Sequence, residues 1–204
     1  MAAQLAWALL LVAAAQSASP ADGQVQGAAS ARPREVSITS DSAPGWIPSA
    51  QLEAQAFETA KRYWAAIDAG DFDAGYALMT PAFRTNINAA SFKANEANTA
   101  SLLGHLTGRT IVKITWTSGS AQAPTTGTYA AIDISARYAK AARFCGFIIL
   151  YQPTTADEIY VARVETNFMR DESYSKFAST AAADAAWAAT ARNCPNYTPA
   201  QFTP

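Results

Sequence analysis

One stripe of large apolar residues, in the stretch from Gln51 to Pro81, constrains this 204-residue chain most. Phe57, Ala60, Trp64 and Ile67 recur at i, i+3, i+7 and i+10, which is one face of an α-helix. Glu58, Lys61, Arg62 and Asp68 fall mostly off that stripe. Gly70 stands where the period stops, as a helix C-terminus often requires. Asp71 then offers a side-chain oxygen to cap a second, shorter helix with Tyr76, Leu78 and Met79, and Pro81 turns Thr80 away from helical geometry. A helix that shows a Phe, a Trp and an Ile on one stripe needs a broad apolar surface to cover, and the rest of the chain has to supply it.

Phe83 and Ile87 continue the apolar lining. Asn88 or Ser91 caps a third helix that runs to Leu103, with Gly104 as its terminator. Phe92, Thr99, Leu102 and Leu103 are expected to face inward, and Lys93, Asn95, Glu96 and Asn98 to form a solvated face. After Gly108 the period changes to two. Thr110–Thr117 places Val112, Ile114 and Trp116 on one face and Ile111, Lys113 and Thr115 on the other. Beyond a Gly-, Pro- and Ser-rich loop, Thr128–Tyr138 sets Ala130, Ile132, Ile134 and Tyr138 against Tyr129, Asp133, Ser135 and Arg137. Phe144–Tyr151 is apolar on both faces, so it belongs at the centre of a sheet covered on both sides. Glu158–Met169 sets Tyr160, Ala162, Val164 and Phe168 against Arg163, Glu165 and Asn167.

Three helices followed by four strands with short connections imply an α+β fold on a mainly antiparallel sheet. If that sheet curves, it wraps the first helix as a cone with a cavity at its open end. The Ala-rich residues 171–193 form a C-terminal helix by propensity, but their apolar stripe is thin: a loosely docked helix and a frayed tail both fit.

Composition narrows the function classes. Charged residues make up 15% of the chain, below the roughly 25% of ordinary domains, and the net charge is −1. That leaves no basic footprint for nucleic acid. The single histidine excludes a His-rich metal site, and no phosphate-binding, dinucleotide-binding or zinc motif occurs, so no metal and no cofactor is expected. Leu5–Ala15 is an apolar run of signal-peptide length followed by small residues. The expected organisation is a signal peptide over 1–17, a flexible linker over 18–50, the domain over 51–170, and a C-terminal helix and tail over 171–204. An N-terminal core helix is the rival reading of the first segment. Export implies a periplasmic or secreted protein without membrane attachment after signal removal. In such a compartment Cys145 and Cys194 suggest a bridge that pins the C-terminal helix to the central strand; a buried thiol and a free tail thiol are the alternative.

Between residues 56 and 84 the helix ending in Trp64, Asp68 and Gly70, then an aromatic, Phe72 or Tyr76, and the Pro81-x-Phe83 pair together resemble the DUF4019 family. The similarity continues through Phe92, Leu103-Gly104, Arg109 and the strand pattern to Phe168, over roughly residues 52–169. Phe92 and Tyr160 stand where the family pattern has Trp. The resemblance implies an exported bacterial protein of unknown function with the nuclear-transport-factor-2-like (NTF2-like, cystatin-like) cone. It brings no established catalytic residues.

Two partner expectations stand side by side: a small apolar ligand in the cone, or a second copy of the chain. Trp64, Tyr76, Trp116, Tyr129 and Arg137 are the candidate ligand-lining residues, with Tyr63 a further aromatic candidate for the pocket wall. An enzyme of isomerase or cyclase type is the alternative, with Asp133 as the candidate base and Tyr129 as hydrogen-bond donor, because a carboxylate in apolar surroundings gains basicity. Which way the Asp133 and Arg137 face points decides between these readings, and alternation alone is compatible with both. His105, in the loop before the first strand, is expected to be solvated. Arg109 is expected to bond the terminal carbonyls of the third helix, or else to bind an anion.

Overall fold

The computed structural model describes residues 35–194. The expected signal peptide and the end of the tail lie outside the described residues.

Helix α1 spans Ala50–Asp68 and begins at Ser49, whose hydroxyl accepts from the Leu52 N–H at 3.1 Å. Gly70, at φ +74, breaks it in a left-handed conformation that residues with a Cβ rarely adopt. Asp71 caps α2 (Phe72–Ala77) through the Ala74 N–H at 3.1 Å. Thr80 is extended, as a residue before proline should be, and its hydroxyl caps a further short helix, α3 (Pro81–Asn86). Asn88 caps α4 (Ala89–Leu103), which stops at Gly104.

The sheet has five strands in the order β1-β2-β3-β4-β5. They are β1 (Glu35–Ile38), β2 (Leu106–Ser118), β3 (Gly127–Tyr138), β4 (Ala141–Pro153) and β5 (Tyr160–Arg170). All four expected strands are present and pair antiparallel; β1 is an addition and pairs parallel to β2, so the sheet is mixed. β1 comes from the segment expected to be linker. It holds there by ladder bonds and by a Lys113–Glu35 ion pair at 2.8 Å. Just beyond it, Trp46 packs on Trp116 with ring centroids 6.3 Å apart.

One sheet face meets α1, which lies against β4 and β5, and α4, which lies against β5. The core between them contains Tyr63, Ile114, Trp116, Ile132, Ile148, Leu150 and Val161, all nearly inaccessible to solvent. Each large side chain of this kind contributes roughly 1.5–3 kcal/mol of transfer free energy. Residues 78–80 hydrogen-bond to Val161 and close the start of the β5 edge.

The opposite face has its own smaller cluster. Cys145 alternates with Phe144, so it points away from the main core, and it is bonded to Cys194. After a single helical turn, α5 (Asp171–Tyr174), helix α6 (Thr180–Thr190) covers that position with Ala183 and Trp187, and Ala191 follows in a short 3-10 turn, Ala191–Asn193. Arg143 on β4 adds an ion pair to Asp184 at 3.0 Å and a stacking contact on Tyr174. The C-terminal helix is therefore firmly docked rather than loose. Its stripe is thin, yet Ala183, Trp187 and Ala191 recur every four residues, and Trp187 supplies the bulk. On its outer face β4 is covered around Cys145 only, while Phe147 and Ile149 stay partly exposed, and β4 lies beside the edge strand β5 rather than at the centre of the sheet.

Two strand phases differ from simple alternation. Ile111 pairs with Ile134 and Lys113 with Asp133, so Val112 is an extra residue, a β-bulge. The phase of β2 reverses there, and Ile111, not Val112, joins Ile114 and Trp116 on the core. In β5, Ile149 faces Arg163 while Leu150 faces Val161, which leaves Ala162 as the extra residue. Val161 thus takes the core position that alternation assigns to Tyr160.

Candidate functional site

A cavity of about 330 Å³ lies between α1, α4 and the helix-facing side of the sheet. α1 contributes Tyr63, Trp64, Ile67 and Asp68, and α4 contributes Glu96, Thr99, Ala100 and Leu103. The sheet side brings Arg109 from β2, Ile134 and Tyr138 from β3, and Phe144 from β4. The Gly104–Leu106 connection, with His105, forms part of the rim.

The bulge at Val112 puts Arg109 here. Without the phase reversal, Arg109 would share the face of Lys113 and point away from the helices. With it, the guanidinium reaches the C-terminal end of α1 and grips Asp68 with two bonds, Nη1 to Oδ2 at 2.8 Å and Nη2 to Oδ1 at 2.9 Å. Nη2 also donates to the Tyr138 hydroxyl at 3.3 Å, and the guanidinium lies over the Trp64 ring, 5.2 Å from its centroid. Burial alone would lower the Arg109 pKa; the hydrogen bonds and charge of Asp68, helped by Tyr138, overcome that and raise it. Arg109 is thus a bidentate brace between sheet and first helix. The bonding of α4's last carbonyls falls instead to Lys140, whose Nζ donates to the Ser101 carbonyl at 3.1 Å.

Two further residues of the cavity lining carry polar groups, Tyr63 and Glu96. The Tyr63 side chain is 2% exposed, and its hydroxyl is buried with no hydrogen-bond partner among the described residues. Burial, and after it the charge of Glu96, push the Tyr63 hydroxyl far above the ordinary phenol range. Burial likewise raises the Glu96 carboxyl, which has no ion pair among the described residues. Burial also raises the Tyr138 hydroxyl, against the opposing effect of the Arg109 charge.

Of the aromatics expected to line a pocket, Trp64 and Tyr63 line this cavity, and His105 and Arg109, expected elsewhere, line it as well. Asp133 is buried, but it lies on the opposite sheet face, in register with Lys113 on β2 and Phe147 on β4. Arg137 is on that same face and exposed. Tyr129 stacks on Tyr151 at 4.9 Å and donates to the Thr125 carbonyl, holding the β2–β3 loop. Trp116 is core beneath Trp46. Tyr76 donates to the Ile87 carbonyl at 2.7 Å and packs on Phe92, tying α2, α3 and α4 together. Glu96 was not foreseen. The signal for Glu96 was present: with Phe92, Thr99 and Leu103 it lies at i+4, i+7 and i+11, so a carboxylate sits on the inward stripe of α4. Among the described residues no three His, Cys, Asp or Glu side chains cluster as metal ligands, and no helix is long and apolar enough to cross a membrane.

A wider groove of about 660 Å³ runs along the other side of α1, between Gln55, Glu58, Arg62, α2 and the 157–160 turn.

A family model described as a protein of unknown function (DUF4019) matches residues 59–160, from the middle of α1 to the start of β5. No curated protein and no solved structure matches the chain.

Proposed function

We propose, for a chain that belongs to the DUF4019 family, that it is an exported, non-catalytic binding protein whose cavity holds a small, largely apolar molecule. The reading rests on Tyr63, a residue of the cavity wall whose buried hydroxyl has no partner among the described residues. Buried polar groups in folded proteins are almost always hydrogen-bonded, and leaving one unmade costs about 1–3 kcal/mol. A bound molecule with one polar end would supply the missing bond while its apolar body covers Ile67, Leu103 and Ile134. The volume fits a small ligand, at the lower end of the roughly 300–1,000 Å³ of known sites.

The nuclear-transport-factor-2-like cone is part of this proposal; the long first helix laid across an antiparallel meander, with a cavity between them, supports it. Export accords with the Cys145–Cys194 bond, since disulfides persist in oxidising compartments. A second reading, an enzyme of isomerase or cyclase type, is favoured by one observation: a carboxylate raised by burial does face the cavity. That carboxylate is Glu96, so Glu96 and not Asp133 would be the base.

Native mass spectrometry of the exported protein, purified without reductant, tests the binding reading. We expect an adduct that is lost on denaturation and does not form in Ala100→Phe, which fills the cavity. A bare dimer would move the weight to pairing between copies. A bare monomer, unchanged by Ala100→Phe, would overturn ligand binding.

A further inference from the structure

The charge balance around the cavity narrows the chemistry of what it holds, and the argument here rests on the binding reading above. Four residues with formally charged side chains line it, Asp68, Glu96, Arg109 and Glu165, the last in register with Phe147, whose side chain belongs to the opposite sheet face. Asp68 and Arg109 neutralise each other through two hydrogen bonds. Glu165 is engaged by Arg163 at 2.7 Å. Lys140, near the rim, donates to a helix carbonyl. Lys93, on the same helix as Glu96, is paired with Asp73 at 3.0 Å. Glu96 is left with no cation among the described residues, beside the equally unpartnered Tyr63 hydroxyl.

A second anion brought into this space would face an uncompensated carboxylate. A neutral ligand would leave Glu96 desolvated without a counter-charge. A cation would neutralise it, and its N–H groups could donate both to the carboxylate and to the phenol oxygen. The aromatic walls suit the same charge, because the faces of Trp and Tyr attract cations. Trp64 already holds one, the Arg109 guanidinium. We infer that the ligand is a small primary or secondary amine, with its ammonium group between Glu96 and Tyr63 and its apolar body against Ile67, Leu103 and Ile134.

The probes are three molecules of like shape: phenethylamine, 2-phenylethanol and 3-phenylpropionate. Each is titrated calorimetrically near neutral pH into the full, disulfide-bonded chain, into Glu96→Gln and into Tyr63→Phe. The amine should bind most tightly and the acid least. Loss of a hydrogen bond to a charged group should cost Glu96→Gln roughly tenfold or more in amine affinity, while the alcohol changes by no more than about twofold. Tyr63→Phe should weaken amine and alcohol alike. Thermal unfolding of both variants shows that they remain folded. If amine and alcohol bind equally well, or the acid binds best, the amine inference is overturned while the cavity reading stands. If none of the three binds, the composition of the native adduct decides: an adduct with a basic nitrogen supports the amine, and one without it overturns the amine alone. Absence of any adduct overturns the cavity reading, and the amine with it.

Discussion

Asp68 and Arg109 should respond unequally to removal of the other. Their side chains are 29% and 15% exposed respectively. In Arg109→Met, the new side chain keeps apolar contact with Trp64, and Asp68 is left at the C-terminal end of α1. Nearly a third of that carboxylate is already in contact with water, so it rehydrates. The loss is close to that of a partly exposed ion pair, about 1 kcal/mol. In Asp68→Asn, the guanidinium stays enclosed between Trp64 and Tyr138, with its charge uncompensated. Breaking a fully buried pair costs roughly 3–5 kcal/mol; with the residual exposure here we expect about 2–3 kcal/mol. The double variant should resemble Arg109→Met alone, because the stranded charge is gone. Urea unfolding of the disulfide-bonded protein resolves this: at a slope near 2 kcal/mol per molar, Asp68→Asn should lower the midpoint by about 1 M and Arg109→Met by about half that or less. If Arg109→Met is the more damaging variant, or if the double variant is worse than Asp68→Asn, then the stranded-cation argument is wrong.

Glu96 should make stability fall as pH rises. Its carboxyl is raised by burial, so between the ordinary glutamate range and its higher folded value the folded state binds more protons than the unfolded state. Its contribution is complete below the unfolded value and is lost as pH passes the folded one; unfolding free energies measured across that window should decline less in Glu96→Gln than in the wild type. The Cys145–Cys194 bond closes a loop with a sequence separation of 49, and removing it in Cys145→Ala/Cys194→Ala should cost up to about 4 kcal/mol in the chain-entropy account. The same double variant should be insensitive to reductant, whereas the wild-type urea midpoint should fall on reduction. Deleting Val112 removes the bulge and turns Ile111 and Arg109 to the outer face; we expect a loss of about 3 kcal/mol or more and of the Arg109–Asp68 coupling, read by urea unfolding of the deletion with and without Asp68→Asn.

Much of this architecture is local and was therefore legible. The stripe of α1, the stop at Gly70, the Asp71 and Asn88 caps and the four antiparallel strands each follow from spacing within a few residues. Edge strand β1 was not legible, because four residues carry too little pattern and depend on the parallel partner they find in β2. The cavity residues were half legible. Trp64 followed from the α1 stripe, and Glu96 stood on the α4 stripe but was assigned to solvent because charged residues usually are. Asp133 and Arg137 were weighed as candidates because alternation cannot say which face of a sheet the helices will cover.

The sequence by itself therefore determined the elements, their ends and the alternation of each strand, since these depend on backbone preferences and on neighbours along the chain. The tertiary structure decided which face became interior, and it did so through single-residue shifts. One extra residue at Val112 reverses the phase of β2, carries Arg109 from the outer face to Asp68 and builds one wall of the cavity. A bulge depends on the register between two strands, and register is a property of the pair, so neither strand's own sequence contains it.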